Sequence, residues 1–172
     1  MIASFRGATP VIDSSAYVVD SAVVIGDVVI GADTSVWFHA VVRGDVNSIR
    51  IGRGTNVQDH AMIHVLSARS QATVGDDVTI GHGAIVHGCT IGDRTLVGMG
   101  AIVLDGVEVG ADCLVGAGAL LTPGTRIAPG QLVVGSPAKA ARPLTDAERA
   151  SLIASAANYA RVAAEYRAAG LR

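Results

Sequence analysis

The chain has 172 residues, half of them apolar, yet only six aromatics against 21 glycines, which fits one domain, or one with a short appendage, whose core is Val, Ile and Ala in thin β layers. A net charge of −2 with scattered arginines excludes a basic nucleic-acid face. Cys89 and Cys113 are too few for a disulfide framework, and no apolar run reaches membrane-spanning length. With no signal-peptide pattern in Met1 to Pro10, a cytoplasmic protein with neither a membrane nor a nucleic-acid partner is expected.

From Ile12 an aliphatic residue recurs every six positions: Ile12, Val18, Val24, Ile30, Val36 and Val42. The series resumes at Ile51, Val57 and Ile63, again at Val74, Ile80 and Val86, and then runs unbroken from Ile91 to Val133. The residue four places after each is usually small, as at Ala22, Thr34, Ala61, Ala84 and Ala101. A period of six is neither helical nor a plain strand alternation; it marks a parallel β-helix of hexapeptide units. Three hexads close one triangular coil, so the aliphatic points inward and the small residue fits near the corner. The pattern resembles the left-handed β-helix family, and the left hand is taken from that resemblance. Three irregularities are expected at corners: three extra residues near Val46-Asn47-Ser48, five after Val65, and one missing between Val86 and Ile91.

The repeat ends in GSPAKAARP, after which Thr145-Asp146-Ala147-Glu148 reads as a capping box opening a helix. Leu152, Ile153, Ala156, Tyr159, Ala160 and Ala163 fall on roughly one face, and Gly170 ends the helix. The expected division is a β-helix over residues 1–140 and a helical appendage over 141–172 that packs on the prism and is no independent domain. The fold class is mainly β: a left-handed parallel β-helix with a C-terminal α-helix.

The histidine spacing carries chemistry. His64 and His87 occupy the same place in hexads one full coil apart, and stacked strands lie about 4.8 Å apart. Both imidazoles can therefore reach one metal ion. His82 lies on another face of the triangle, so it reaches such an ion only from a neighbouring chain in a threefold trimer. Three imidazoles leave a coordination position open, as catalytic metal sites do. Such an ion brings the pKa of bound water to about 7. Arg43 lies one coil below His64, and Asp59, preceded by Gln58, one coil below His82. Arg43 of one chain would then pair with Asp59 of another. The plainer alternatives are surface histidines at solenoid corners and an exposed ion pair worth little. Cys113 takes a small inward position and is expected in the core.

The runs VWFHAVVRGDVNSIRIGRGTNVQDHAMIHV, GHGAIVHGCTIG, GMGAIVLDG and GSPAKAAR resemble the γ-class carbonic anhydrases across almost the whole chain. The match is closest to a bacterial branch that lacks an extended acidic loop. The resemblance implies that His64 and His87 of one subunit and His82 of the next hold zinc, or alternatively iron or cobalt. It implies a homotrimer with metal sites between subunits, and reversible hydration of CO2 to bicarbonate by metal-bound hydroxide. It assigns Gln58 to orienting that hydroxide, Arg43 and Asp59 to the intersubunit pair with Asp45 beside it, Asn56 to positioning substrate, and Tyr159 to the vicinity of the site.

The loop VLSARSQAT departs from the family by carrying no acidic proton shuttle, so slow turnover is expected, with His60 a candidate substitute. His39, one coil below His60, reads as a plain surface residue. Three rivals stay open: an acyltransferase of the same prism, a metal-dependent CoA thioesterase, and a non-catalytic trimeric metal-binding scaffold.

Overall fold

The computed structural model describes residues 1–66 and 70–171. They form a left-handed parallel β-helix of about seven turns with one C-terminal helix. The hexad register explains why. From Val24 to Val133 every repeating aliphatic is buried, while Ile12 and Val18 are half-buried at the first coil. Each buried aliphatic contributes roughly 1.5–3 kcal/mol relative to exposure. The small fourth-position residues, such as Ala61, Ala84 and Ala101, are also fully enclosed. Thr34 and Thr55 fill the same column and satisfy their hydroxyls on the carbonyls of Gly52 and Gly75 in the next coil.

The prism has three faces. The first holds Met62–His64, Ile85–His87, Ile102–Val103 and Leu120–Leu121 in parallel register. The second holds Ala72–Val74, Thr90–Ile91, Glu108–Val109 and Arg126–Ile127. The third runs from Tyr17–Val18 through Asn56–Val57, Thr79–Ile80 and Leu96–Val97 to Gln131–Gly135, where Ala138–Pro143 returns antiparallel. The first two faces share one hydrogen-bonded sheet because Val23–Ile30 and Val41–Ile51 run straight through the corner between them. The three-residue insertion sits there as a register irregularity opposite Gly26 and Val28, so it stays at a corner as expected. The short turn after Val86 is made by Gly88 at φ +52°, and Gly88 N–H bonds His64 O at 2.9 Å. The five-residue insertion after Val65 is closed by a bridge between Leu66 and Ser70, and its residues 67–69 lie outside the described residues.

Glycine after the aliphatic is demanded by coil spacing. A Cβ on Gly92 would sit 2.5 Å from the backbone nitrogen of Ala111. Stacking at β-sheet distance leaves no room there for a side chain.

Helix α1 (Asp146–Ala168) starts with the expected capping box: Thr145 Oγ1 accepts from Glu148 N–H, and the Glu148 carboxylate accepts from Thr145 N–H. It lies over the third face. Leu152, Ala156 and Ala163 are buried there, and Trp37 is ringed by Tyr17, Tyr159 and Tyr166 at centroid distances of 5.2–5.6 Å. Ile153, expected on this face, is instead exposed. The packed stripe follows 152, 156, 159, 163 and 166, and Ile153 stands about 100° round the helix from Leu152. No described helix is long and apolar enough to cross a membrane.

Candidate metal centre

The register sets His64 directly beside His87 on the next coil, with Arg43 beside His64 on the coil before. This column stands where the chain leaves the first face. The rings meet edge to face, and His64 Nδ1 lies 3.1 Å from His87 Nε2. Their outer nitrogens face carboxylates: His64 Nε2 is 3.0 Å from Asp45 Oδ1, and His87 Nδ1 is 2.9 Å from Asp105 Oδ1. Asp45 also receives Arg43. Burial works to raise the Asp45 pKa, but hydrogen bonds from His64 and Arg43, with the Arg43 charge, outweigh it and hold the carboxyl below its ordinary value.

Carboxylates only accept, so the outer imidazole nitrogens carry the protons. The inner ones then face each other as lone pairs, an arrangement that calls for a proton or a cation between them. Two nitrogens bound tetrahedrally at about 2.0–2.1 Å would stand roughly 3.3 Å apart. The 3.1 Å found lies close to that spacing and equally fits a single shared proton.

His82 occupies the opposite edge of the first face, at the corner leaving the third. Its Nδ1 is 2.9 Å from Asp59 Oδ2 in the coil below, and its Nε2 is 3.4 Å from the Tyr159 hydroxyl. Burial, helped by the Asp59 charge, raises the Tyr159 pKa, so the phenol keeps its proton. The Gln58 amide accepts His82 N–H through Oε1 at 3.2 Å and donates from Nε2 to Asn56 Oδ1 at 3.1 Å. Asn56 in turn donates to Thr79 Oγ1 at 3.0 Å, and Ser155 of α1 lies 3.2 Å from that hydroxyl. Asn56 and Gln58 are thus buried with both amide ends engaged.

The predicted residues therefore form two groups on one chain. One is Arg43, Asp45, His64 and His87; the other is Asn56, Gln58, Asp59, His82 and Tyr159. Arg43 meets Asp45, and Asp59 meets His82, so Arg43 and Asp59 find different partners within the chain. Among the described residues of one chain, no three His, Cys, Asp or Glu side chains are arranged to hold a metal ion. His60 stacks on His39 with centroids 5.2 Å apart, both exposed at the corner beside Asp59. Cys113 is buried as expected. Sequence reasoning missed Asp105 and Ser70. Their trace is the LDG turn one coil beyond His87, hidden by the missing residue after Val86.

A hexapeptide-repeat β-helix with histidine columns flanking one face defines the class of protein. The six-repeat bacterial transferase hexapeptide model matches residues 71–104 and 88–123. Over 159 residues the chain is 48% identical to the mitochondrial gamma carbonic anhydrase 1 of Arabidopsis thaliana, covering 90% of this chain but 58% of that longer protein. It is 46% identical to the carbonic anhydrase of Geobacillus kaustophilus, across 85% of this chain and 80% of that one. A solved hexapeptide transferase family protein from Anaplasma phagocytophilum superposes with a TM-score of 0.93 at 40% identity, covering 96% and 98% of the two chains. The chain belongs to the γ-class carbonic anhydrase-like branch of the hexapeptide-repeat family.

Proposed function

We propose that this protein is a metal-dependent carbonic anhydrase that interconverts CO2 and bicarbonate in the cytoplasm. His64 and His87 of one copy and His82 of a neighbouring copy would hold the ion, zinc or alternatively iron or cobalt. The observation that carries this reading is the 3.1 Å approach of two imidazole nitrogens whose outer partners are both carboxylates.

A homotrimer is supported by the first face. Its outward ladder is Val23, Val41, Met62, Ile85, Ile102 and Leu120, aliphatic at every step. The second face from Arg50 onward carries Thr73, Thr90, Glu108 and Arg126 in the equivalent places, and α1 covers the third. An uncovered apolar strip bounded by His82 on one edge and His64–His87 on the other is suited to packing against another copy, which would bring the two histidine columns together. The same packing would release Arg43 and Asp59 to pair across the interface.

A divalent ion at this place supplies Lewis acidity that lets water ionise near neutral pH. The chain's own residues do the rest. Asp45 keeps the inner nitrogen of His64 free as an acceptor. Asn56, buried, braces Gln58, whose Nε2 carries a second N–H beyond its bond to Asn56 Oδ1 and would orient an oxygen beside His82. The reaction releases one proton for each bicarbonate formed, and exposed His60 is the chain's acceptor for passing it to solvent. A second reading, thioester hydrolysis at the same centre, is favoured by one observation: a groove of about 440 Å³ runs from His82 past the apolar side chains of Leu96, Met99 and Leu114.

The deciding experiment is metal content with stopped-flow CO2 hydration on protein purified anaerobically with zinc or iron, with His82→Ala as control. One metal per chain and hydration that disappears in the variant is expected. Metal without hydration, but with acyl-CoA cleavage, would favour the second reading, and metal-free protein would defeat both.

A further inference from the structure

Asp105 lies outside every role assigned so far, yet it makes two short contacts. Its Oδ1 lies 2.9 Å from His87 Nδ1 and accepts a hydrogen bond from Ser70 Oγ at 2.8 Å. Ser70 belongs to the second-face side of the loop after Val65, and Asp105 to the turn one coil beyond His87. They meet over Gly88. A Cβ there would stand 2.3 Å from Ser70 Oγ and 2.4 Å from Asp105 Oδ1, so only glycine admits the pair. The five-residue step from Val86 to Ile91 makes the same contact possible, because it draws the corner tight beneath Asp105.

We propose that Asp105, braced by Ser70 across Gly88, is a positioning residue that holds His87 as the Nδ1–H tautomer and aims its Nε2 lone pair at His64 Nδ1. The inference deepens the metal reading above and rests on it only for its consequence, not for the tautomer itself. An imidazole left to solvent favours protonation at Nε2, which would put a proton where the ion should sit. A carboxylate at Nδ1 reverses that preference and makes the opposite nitrogen a better ligand. Asp45 does the equivalent for His64, so the two histidines are pinned from outside by two different turns.

The test uses the full chain with 15N-labelled histidine, first free of metal at pH 8. Long-range proton–nitrogen spectra should report His87 protonated at Nδ1 in the wild type. Asp105→Ala should move it toward the Nε2–H form, and Asp105→Asn, whose amide oxygen still accepts, should restore the wild-type pattern. Cobalt titration should then give an affinity about 10–100-fold weaker in the alanine variant and an intermediate loss in the asparagine variant. Thermal melting of all three confirms that the fold persists, and Ser70→Ala reports the brace through a smaller shift of the same signals. A His87 tautomer unchanged in Asp105→Ala would overturn the proposal. A tautomer switch in protein that takes up no metal even as wild type would uphold it and overturn the metal reading instead.

Discussion

The Tyr159 hydroxyl, carried by α1, stands 3.4 Å from His82 Nε2, while His82 Nδ1 faces Asp59 Oδ2 at 2.9 Å. The helix therefore does more than cover the third face. Its tyrosine stands against the nitrogen through which His82 would hold an ion, so in the proposed site it would be a hydrogen-bond donor beside that ion. Tyr159→Phe keeps the ring against Trp37, so the melting temperature and metal content should stay at wild-type values. CO2 hydration should fall about tenfold, equivalent to roughly 1.4 kcal/mol. Equal rates would remove Tyr159 from the site.

The apolar ladder of the first face predicts assembly. Met62, 40% exposed and flanked by Val41 and Ile85, is its centre. Met62→Glu would bury an unpaired charge in any copy-to-copy contact there, at a cost of several kcal/mol. Light scattering should show the proposed trimer giving way to monomer, with metal lost in the same step. A variant that stays trimeric would place the interface elsewhere.

Cys89 follows the tight Gly88 turn, is 2% exposed, and has its thiol pushed up to about 12 by burial, with the Asp105 charge adding to it. The thiolate is the reactive form, so iodoacetamide at pH 8 should leave Cys89 unmodified in the folded protein and label it fully in denaturant. Mass spectrometry of peptides reads this directly. Labelling in the native state would mean the corner opens.

The start of α1 predicts an acid-sensitive helix. Glu148 is held at about 2, chiefly by its hydrogen bonds from Arg142 and then from the Thr145 backbone. A carboxyl depressed in the fold stabilises it above the unfolded value near 4.5, and loses that contribution as pH falls toward 2. Trp37 fluorescence should report a higher melting temperature for the wild type than for Glu148→Gln at pH 7, with the two converging by about pH 2. A constant gap across that range would mean the box acts without its charge.

The β-helix was legible because a six-residue period is local and additive: each hexad repeats the last, and a count of three per coil places Arg43 beside His64 and His64 beside His87. The same count put His82 and Asp59 in a second column and Cys113 in the core. The capping box was readable too, since its four residues contact only one another. What counting could not reach was decided at corners and between elements. Ile153 points to solvent because the helix meets the third face along the stripe through Leu152, Ala156 and Ala163. Arg43 meets Asp45 within the chain because the strand Val41–Ile51 runs on through the corner and sets both residues, two apart, on the same side. Asp105 arrives at His87 only because a missing residue and a glycine tighten one corner beneath it. Regular burial of one aliphatic in six is enough to set the coil and the two histidine columns. Which side chains the corners bring into hydrogen-bond reach depends on the folded turns, because turn geometry and chain length there do not follow the repeat.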